Sequence, residues 1–261
     1  MSIVDQIIET KKIEIELSKK NNSFSNLEKL PGFSRPTNSL CKNLLNSDFG
    51  IIAEHKRKSP SKSVINEKCL INKVIEGYSS AGVSGISILT DQKYFGGSID
   101  DLVISRKNTT LPILRKEFII DEYQIIEAKA IGADAILLIA SCLKKETIKN
   151  LSKCAKKLDL EVLVEIHNLN ELNNCLMDSV DIIGVNNRNL KTFVVDIQTS
   201  KELAKFIPKE FIKISESGIS NKKEILELKQ CGFNGFLIGE NFMKEKNPGK
   251  EAFNFINDLK N

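Results

Sequence analysis

The sequence predicts a (β/α)8 barrel, a ring of eight parallel strands wrapped by helices, preceded by a helical extension over residues 1–46. Three observations carry this. Eight short apolar runs recur along the 261 residues, each followed by a segment of 3.6-residue periodicity. The alternation is strict, and strands joined by helical crossovers run parallel. Eight such units, in a chain close to the ~250 residues usual for this architecture, close naturally on themselves. An open doubly wound sheet would have fewer strands and a Gly-rich first turn, and no G-x-G-x-x-G occurs. The chain therefore reads as one domain over 1–261.

The extension comes first: an amphipathic helix over 2–20, a Pro/Gly/Asn-rich link over 21–39 and a short helix near 39–46. It is read as a structural cap over one end of the barrel, with a cover over the substrate mouth as the second reading. The strands follow at 51–55, 85–89, 112–115, 134–140, 161–166, 181–186, 211–215 and 234–238. The intervening helices are placed at 68–81, 99–107, 122–132, 145–158, 169–178, 197–206 and 221–231, with 250–260 closing the series. Gly82, Gly132 and Gly232 stand where a left-handed helix end is expected. Asp121, Asn168, Asp196 and Ser220 are the expected N-caps.

Composition narrows the function classes. There are 38 basic and 34 acidic residues, a net of +4, spread along the chain without a basic tail or Arg-rich stripe. Nucleic acid is not favoured, while a weakly positive surface suits an anionic small molecule. The six cysteines include no C-x-x-C and no metal-like spacing with His, so they read as reduced thiols of a cytoplasmic protein, and no metal site is expected. The first residues carry Asp5 and Glu9 and lack the apolar core of a signal peptide. The longest apolar stretch, 135–140, is far short of the ~20 residues that span a membrane.

In a parallel barrel the working end is the C-terminal end of the strands, and alternate residues share a face. Polar residues that interrupt the apolar runs therefore mark the site. Glu54 and Lys56 share a face in the first strand, as do Leu114, Lys116 and Phe118 in the third. Leu163, Glu165 and His167 share one in the fifth, and Gly184, Asn186 and Arg188 in the sixth. A buried Glu needs a cationic partner, which Lys56 or Lys116 could supply. Mixed charges at close range tune one another's proton affinity, as acid–base work requires. The last two units add Ser217–Gly218 and Gly239–Glu240, glycine turns that open helices and expose backbone N–H groups to a phosphate.

The segments IIAEHKRKSPSKS (51–63), ISILTDQKYFGGS (86–98), LPILRKEFIIDEYQI (111–125), LVEIHN (163–168), IGVNNRNLKTF (183–193), SESGI (215–219) and FLIGENFM (236–243) occur in this order. In that combination the chain resembles the indole-3-glycerol-phosphate synthase family over essentially its whole length. The resemblance implies a cofactor-free carboxy-lyase of tryptophan biosynthesis, acting as a monomer on 1-(2-carboxyphenylamino)-1-deoxyribulose 5-phosphate. It implies that Lys116 is the general acid, that Glu165 assists later proton transfers, and that Glu54 holds the lysines and the sugar hydroxyls. Lys56 and Arg188 would face anionic groups and Asn186 would orient the intermediate. Ser59 would belong to a mobile loop. Phe95, Phe118, Leu137 and Leu190 would wall the aromatic ring, and Ser217, Gly218, Gly239 and Glu240 would hold phosphate.

Three positions depart from the family pattern. Glu117 stands for the usual Asp and, facing away from Lys116, is expected to matter little. His55 stands for an aliphatic residue and is expected to be a hydrogen-bonded core histidine. Ser63 stands for Gly, which would strain the backbone if that position needs positive φ. Among rivals, an isomerase using a Cys/Asp pair finds no strand-end Cys, and a metal-dependent epimerase finds only two histidines. A non-catalytic partner subunit would have lost the strand-end charges.

Overall fold

The computed structural model describes residues 2–261. Its strands are β1 (Gly50–His55), β2 (Gly85–Leu89), β3 (Ile113–Lys116), β4 (Ala135–Ile139), β5 (Glu161–Ile166), β6 (Ile182–Asn186), β7 (Ile212–Glu216) and β8 (Gly235–Ile238). All pair in parallel, in sequence order, and β1 pairs with β8 to close the barrel. Each strand lies within one residue of its expected limits.

Period-two alternation produces two apolar layers. Ile51, Ala53, Ile86, Ile88, Val162 and Val164 face outward to the helices. Ile52, Leu114, Leu137, Leu163, Ile214 and Leu237 face inward and fill the barrel. The outer ring comprises α4 (Ile71–Ala81), α5 (Ile99–Asn108), α6 (Glu122–Ile131), α7 (Lys145–Lys157), α8 (Leu169–Cys175), α9 (Gln198–Leu203), α10 (Lys222–Gln230) and α12 (Pro248–Lys260). The short α11 (Glu240–Met243) opens at Gly239, and a 3-10 turn spans Ala140–Cys142. Helix α12 packs on α4 so closely that a Cβ on Gly77 would lie 2.7 Å from the Gly249 Cα.

Gly82, Gly132 and Gly232 end their helices with φ of 78°, 100° and 89°. Asp121 and Asn168 cap α6 and α8 as expected. Two caps shift by a residue. Asn221, not Ser220, caps α10 in a capping box with Glu224, while Ser220 donates its N–H to that Glu. Asp196 accepts from the Gln198 N–H one residue ahead of the assigned N-cap, Ile197. Two helices stop early: α9 before Pro208, which disfavours helical backbone at the residue in front of it, and α8 before the turn-forming Asp178–Ser179.

The extension divides into α1 (Ile3–Asn21), α2 (Phe24–Glu28) and α3 (Leu40–Leu45), and it serves both ends of the barrel. Leu40 and Leu44 of α3 join the inner core at the N-terminal end of the strands. Glycines admit them: a Cβ on Gly85 would sit 2.5 Å from Leu40 Cδ1, and one on Gly235 2.8 Å from Leu44 Cδ2. The link in front of α3 is tied down by Asp134, which is fully buried. Its carboxylate accepts from Arg35 Nη2 (2.7 Å), Arg106 Nη1 (2.7 Å) and the N–H groups of Asn38 and Ile113 (2.8 Å each). Helix α1 lies at the opposite end, over the mouth. The expected structural cap is therefore α3, and α1 is the cover.

Candidate active site

Glu54 and Lys56 project inward from the end of β1. Glu54 is buried, with Oε1 2.9 Å from Lys56 Nζ and Oε2 accepting from Ser87 Oγ at 3.2 Å. Burial alone would raise its proton affinity, but the ammonium groups of Lys56 and Lys116 outweigh that and hold the carboxyl below its ordinary range. Gly239 is glycine partly for this reason, since a Cβ there would lie 2.7 Å from Glu54 Oε1.

Lys116, at the end of β3, is the hub. Its Nζ lies 2.6 Å from Glu216 Oε2, 3.6 Å from Glu165 Oε2 and 3.7 Å from Glu54 Oε2. Burial opposes the ammonium, yet the three carboxylates prevail and raise its pKa, so Lys116 is firmly protonated at neutral pH. Glu216 is a member that the sequence reading passed over. The signal was present, because Ile212, Ile214 and Glu216 alternate as Leu163 and Glu165 do, but the segment was read for its glycines. Gly184 opposite makes room for it: a Cβ there would stand 2.5 Å from Glu216 Oε1.

Glu216 is 1% exposed, and its Oε1 has no hydrogen-bond partner. Burial, reinforced by Glu165 and Glu54 and only partly offset by Lys116, pushes its pKa up to about 7. A carboxyl that binds its proton more tightly folded than unfolded loses stability as pH rises from its unfolded value through the folded one. Glu216→Gln removes this dependence. In urea titrations at pH 5 and pH 8, wild type is expected to lose stability relative to Glu216→Gln at the higher pH; parallel behaviour would exclude the raised affinity.

The remaining candidates surround one cavity of about 430 Å³. Glu165 reaches it from β5. On β6, Asn186 Oδ1 accepts from the Arg188 N–H at 3.0 Å, and Arg188 Nη1 donates to the Phe193 carbonyl at 3.3 Å, which shapes the loop carrying Leu190. Phe95 and Phe118 pack with tilted rings, centroids 6.0 Å apart, and Leu137 lies on the inner layer. Ser217 and Gly218 are successive left-handed residues, φ 67° and 75°, and a Cβ on Gly218 would come within 2.4 Å of Val195 Cγ1. Gly239 and Glu240 begin α11 beside them. Lys62 Nζ reaches Glu240 Oε1 at 2.9 Å from the loop after β1. Burial would raise the Glu240 carboxyl, but Lys62, Lys56 and Arg188 hold it below its ordinary range, so cations gather at this end. In the same loop Ser59 and Lys62 bridge through their backbones. All fifteen residues nominated from sequence line this cavity.

The departures resolve differently from expectation. Ser63 is not among the residues with positive φ, so no strain arises there. His55 is buried on the outer face as expected, but its Nε2 has no hydrogen-bond partner. Burial, helped by the Arg57 charge, lowers its pKa to about 4 and keeps the ring neutral. Glu117 faces away from Lys116 yet is engaged: it accepts from Thr90 Oγ1 at 2.7 Å and lies 3.2 Å from Lys11 Nζ.

That last contact fixes the cover. Lys11 of α1 is 4% exposed and also pairs with Asp91 at 2.8 Å and Glu14 at 2.7 Å. Asp91 and Glu117 follow the C-terminal ends of β2 and β3, so the buried cluster bolts α1 across the mouth, where Ile3, Val4 and Ile7 complete the cavity wall. Removing one member of a buried ion pair leaves its partners uncompensated, a cost of about 3–5 kcal/mol. Lys11→Met is therefore expected to undock α1, raising KM about tenfold, the equivalent of about 1.4 kcal/mol of substrate contact. Limited proteolysis should cut within α1 faster; unchanged KM and cleavage would refute the bolt.

Among the described residues no group of three or more His, Cys, Asp or Glu side chains is placed to hold a metal ion, and no helix is long and apolar enough to cross a membrane. Among solved structures, the fold is similar to 3-hexulose-6-phosphate synthase from Salmonella typhimurium (TM-score 0.62, 15% identity, 81% of this chain and 98% of that one). It is equally close to thiamine phosphate pyrophosphorylase from Pyrococcus furiosus (TM-score 0.62, 14% identity, 85% and 98%). At such identities the likeness concerns the barrel alone. Sequence relatives are far nearer. The chain is 45% identical over 254 residues to the indole-3-glycerol phosphate synthase of Bacteroides thetaiotaomicron, covering 97% of each. It is 43% identical over 264 residues to that of Campylobacter fetus subsp. fetus, covering 99% of each. The family model for indole-3-glycerol phosphate synthase matches residues 4–255. With a barrel, a charged mouth and a near-complete match in agreement, the chain belongs to the indole-3-glycerol phosphate synthase family.

Proposed function

We infer that the protein is a carboxy-lyase that closes, decarboxylates and dehydrates 1-(2-carboxyphenylamino)-1-deoxyribulose 5-phosphate to indole-3-glycerol phosphate, carbon dioxide and water. The observation that carries the residue assignment is Lys116, an ammonium held by three carboxylates in a cavity that also presents the apolar side chains of Phe95, Phe118, Leu137 and Leu190. The substrate is amphipathic in the matching sense: an aromatic ring at one end, a phosphate at the other, a ketone between.

The ring packs among Phe95, Phe118, Leu137 and Leu190, and the phosphate meets the backbone of Ser217, Gly218, Gly239 and Glu240. The ring carbon bearing the carboxylate attacks the ketone carbon while Lys116 Nζ gives a proton to the ketone oxygen. The developing alkoxide is far more basic than an amine, so a firmly protonated lysine is a competent donor. The carboxylate then leaves as carbon dioxide, its bonding pair restoring the aromatic ring. Loss of the new hydroxyl as water, with loss of a proton from the adjacent carbon, completes the indole. Glu165 moves protons in this stage, Glu54 holds both lysines and the sugar hydroxyls, and Asn186 orients the intermediate. Lys56 and Arg188 face the anionic groups, and Ser59 rides on the loop that closes over them. Intact strand-end charges disfavour a non-catalytic role.

The same reading takes the chain to be a cytoplasmic, cofactor-free monomer of one domain, which gel filtration and activity after exhaustive dialysis against chelator would check. The activity itself is directly observable. The chain contains no Trp, so indole emission appearing on addition of substrate is not overlaid by tryptophan emission from the protein. Absence of that signal from folded protein would refute the reading.

A further inference from the structure

The strand that carries Glu165 carries a second titratable group two residues on. His167 follows β5, and its side chain is 13% exposed. Its backbone N–H donates to Glu171 Oε2 at 2.7 Å, and its Nδ1 lies 3.2 Å from the same oxygen. Glu171, in the first turn of α8, is itself held by the Asn168 side chain at 2.7 Å. A carboxylate oxygen only accepts, so Nδ1 carries a proton. The other nitrogen, Nε2, is buried, has no hydrogen-bond partner and lies 3.6 Å from Glu165 Oε1. A neutral ring protonated on Nδ1 would turn a bare lone pair towards that carboxylate. Only the imidazolium offers a donor to both neighbours.

The surroundings favour the cation. Glu165 on β5, Glu171 on α8 and Glu216 on β7 all act on the ring, with Lys116 of β3 beyond Glu165. Cys142 of the 3-10 turn is kept neutral, its thiol pushed up to about 12 by burial, and Asp5 of α1 acts on that thiol from above. Burial opposes the charged ring, yet the Glu171 hydrogen bond and the three carboxylates raise its pKa above the ordinary histidine value.

We propose that His167 is a positioning residue for Glu165: anchored on Glu171, it stands as an imidazolium whose Nε2–H holds the Glu165 carboxylate in place for the proton transfers of the reaction. The inference rests on the reading that Glu165 moves protons. A group whose pKa is raised keeps its cation below that pKa and loses it as pH rises through it, so Glu165 is held at low pH and released at high pH.

Two measurements test this. The chain has only two histidines, so the ring protons of His167 are resolvable by NMR in the free enzyme. The ring is expected to titrate above about 6.5, the unperturbed value, and lower in Glu165→Gln than in wild type. In steady-state kinetics, wild-type kcat is expected to step down through the same pH. His167→Gln, whose amide donates without titrating, should lack the step while keeping KM. His167→Leu should lower kcat about tenfold even at low pH, because the charge facing Glu165 is gone. Titration at or below 6.5, no response to Glu165→Gln, or a step that persists in His167→Gln would overturn the proposal. A fully active Glu165→Gln would overturn the underlying reading instead, and the ring titration, made without substrate, tells the two failures apart.

Discussion

Lys116→Met is expected to lower kcat by about 10²–10⁴, the usual contribution of a positioned general acid. Methionine keeps the length and removes the charge. The loss has two parts. No donor remains for the ketone oxygen, and the carboxylates of Glu54, Glu165 and Glu216, drawn together by one ammonium, are left facing one another. Like charges at this distance raise each other's proton affinity, so the variant should hold more protons near neutrality than wild type, whose Glu216 already titrates at about 7. Following indole emission at saturating substrate gives the first effect, and potentiometric titration of the two proteins gives the second. A kcat within tenfold of wild type would show that the acid lies elsewhere.

The largest expected loss of stability is at the other end of the barrel. Asp134→Asn keeps shape and removes charge from a fully buried carboxylate that pairs with Arg35 and Arg106. Two guanidinium groups then lack their counter-ion, which should cost about 3–5 kcal/mol and lower the melting temperature by about 10 °C for a domain of this size. The link between α1 and α3 should loosen first, since Arg35 and Asn38 belong to it. Because the mouth lies opposite, kcat at low temperature should be preserved. Calorimetry with an activity assay checks both; a melting temperature within 2 °C, roughly under 1 kcal/mol, would show that the arginines find other partners.

These two sites also mark the limits of what could be read in advance. The barrel was legible because strands and helices leave local periodicities, and each strand writes its inner face into alternate residues. Glu54, Lys116 and Glu165 were legible for the same reason, as charges breaking an apolar alternation. Glu216 was equally legible in that alternation, but the glycine turn that follows it gives a stronger signal of a different kind at the same strand end. Lys11 was not legible. On an amphipathic helix it looks like any solvated lysine, and its partners Asp91 and Glu117 come from two distant loops. Asp134 likewise reads as an ordinary turn aspartate until Arg35 and Arg106 are brought to it. The unpartnered state of His55 depended on neighbours that no strand pattern specifies. What the pattern could not supply was the meeting of segments far apart in the chain.

The closure of the barrel through β1 and β8 bears on how the molecule is made. β1 spans Gly50–His55 and β8 spans Gly235–Ile238, and their register runs from Gly50 opposite Gly235 to Ala53 opposite Ile238. During synthesis, a chain that has emerged only as far as β7 therefore carries two unsatisfied strand edges, each able to template pairing with another nascent copy. The hazard ends only when the last strand leaves the ribosome and α12 seats its Gly249 against Gly77 of α4. A stop codon anywhere before β8 therefore yields an adhesive intermediate rather than a smaller enzyme, and the last of the eight strands decides whether the preceding seven stay paired within one molecule.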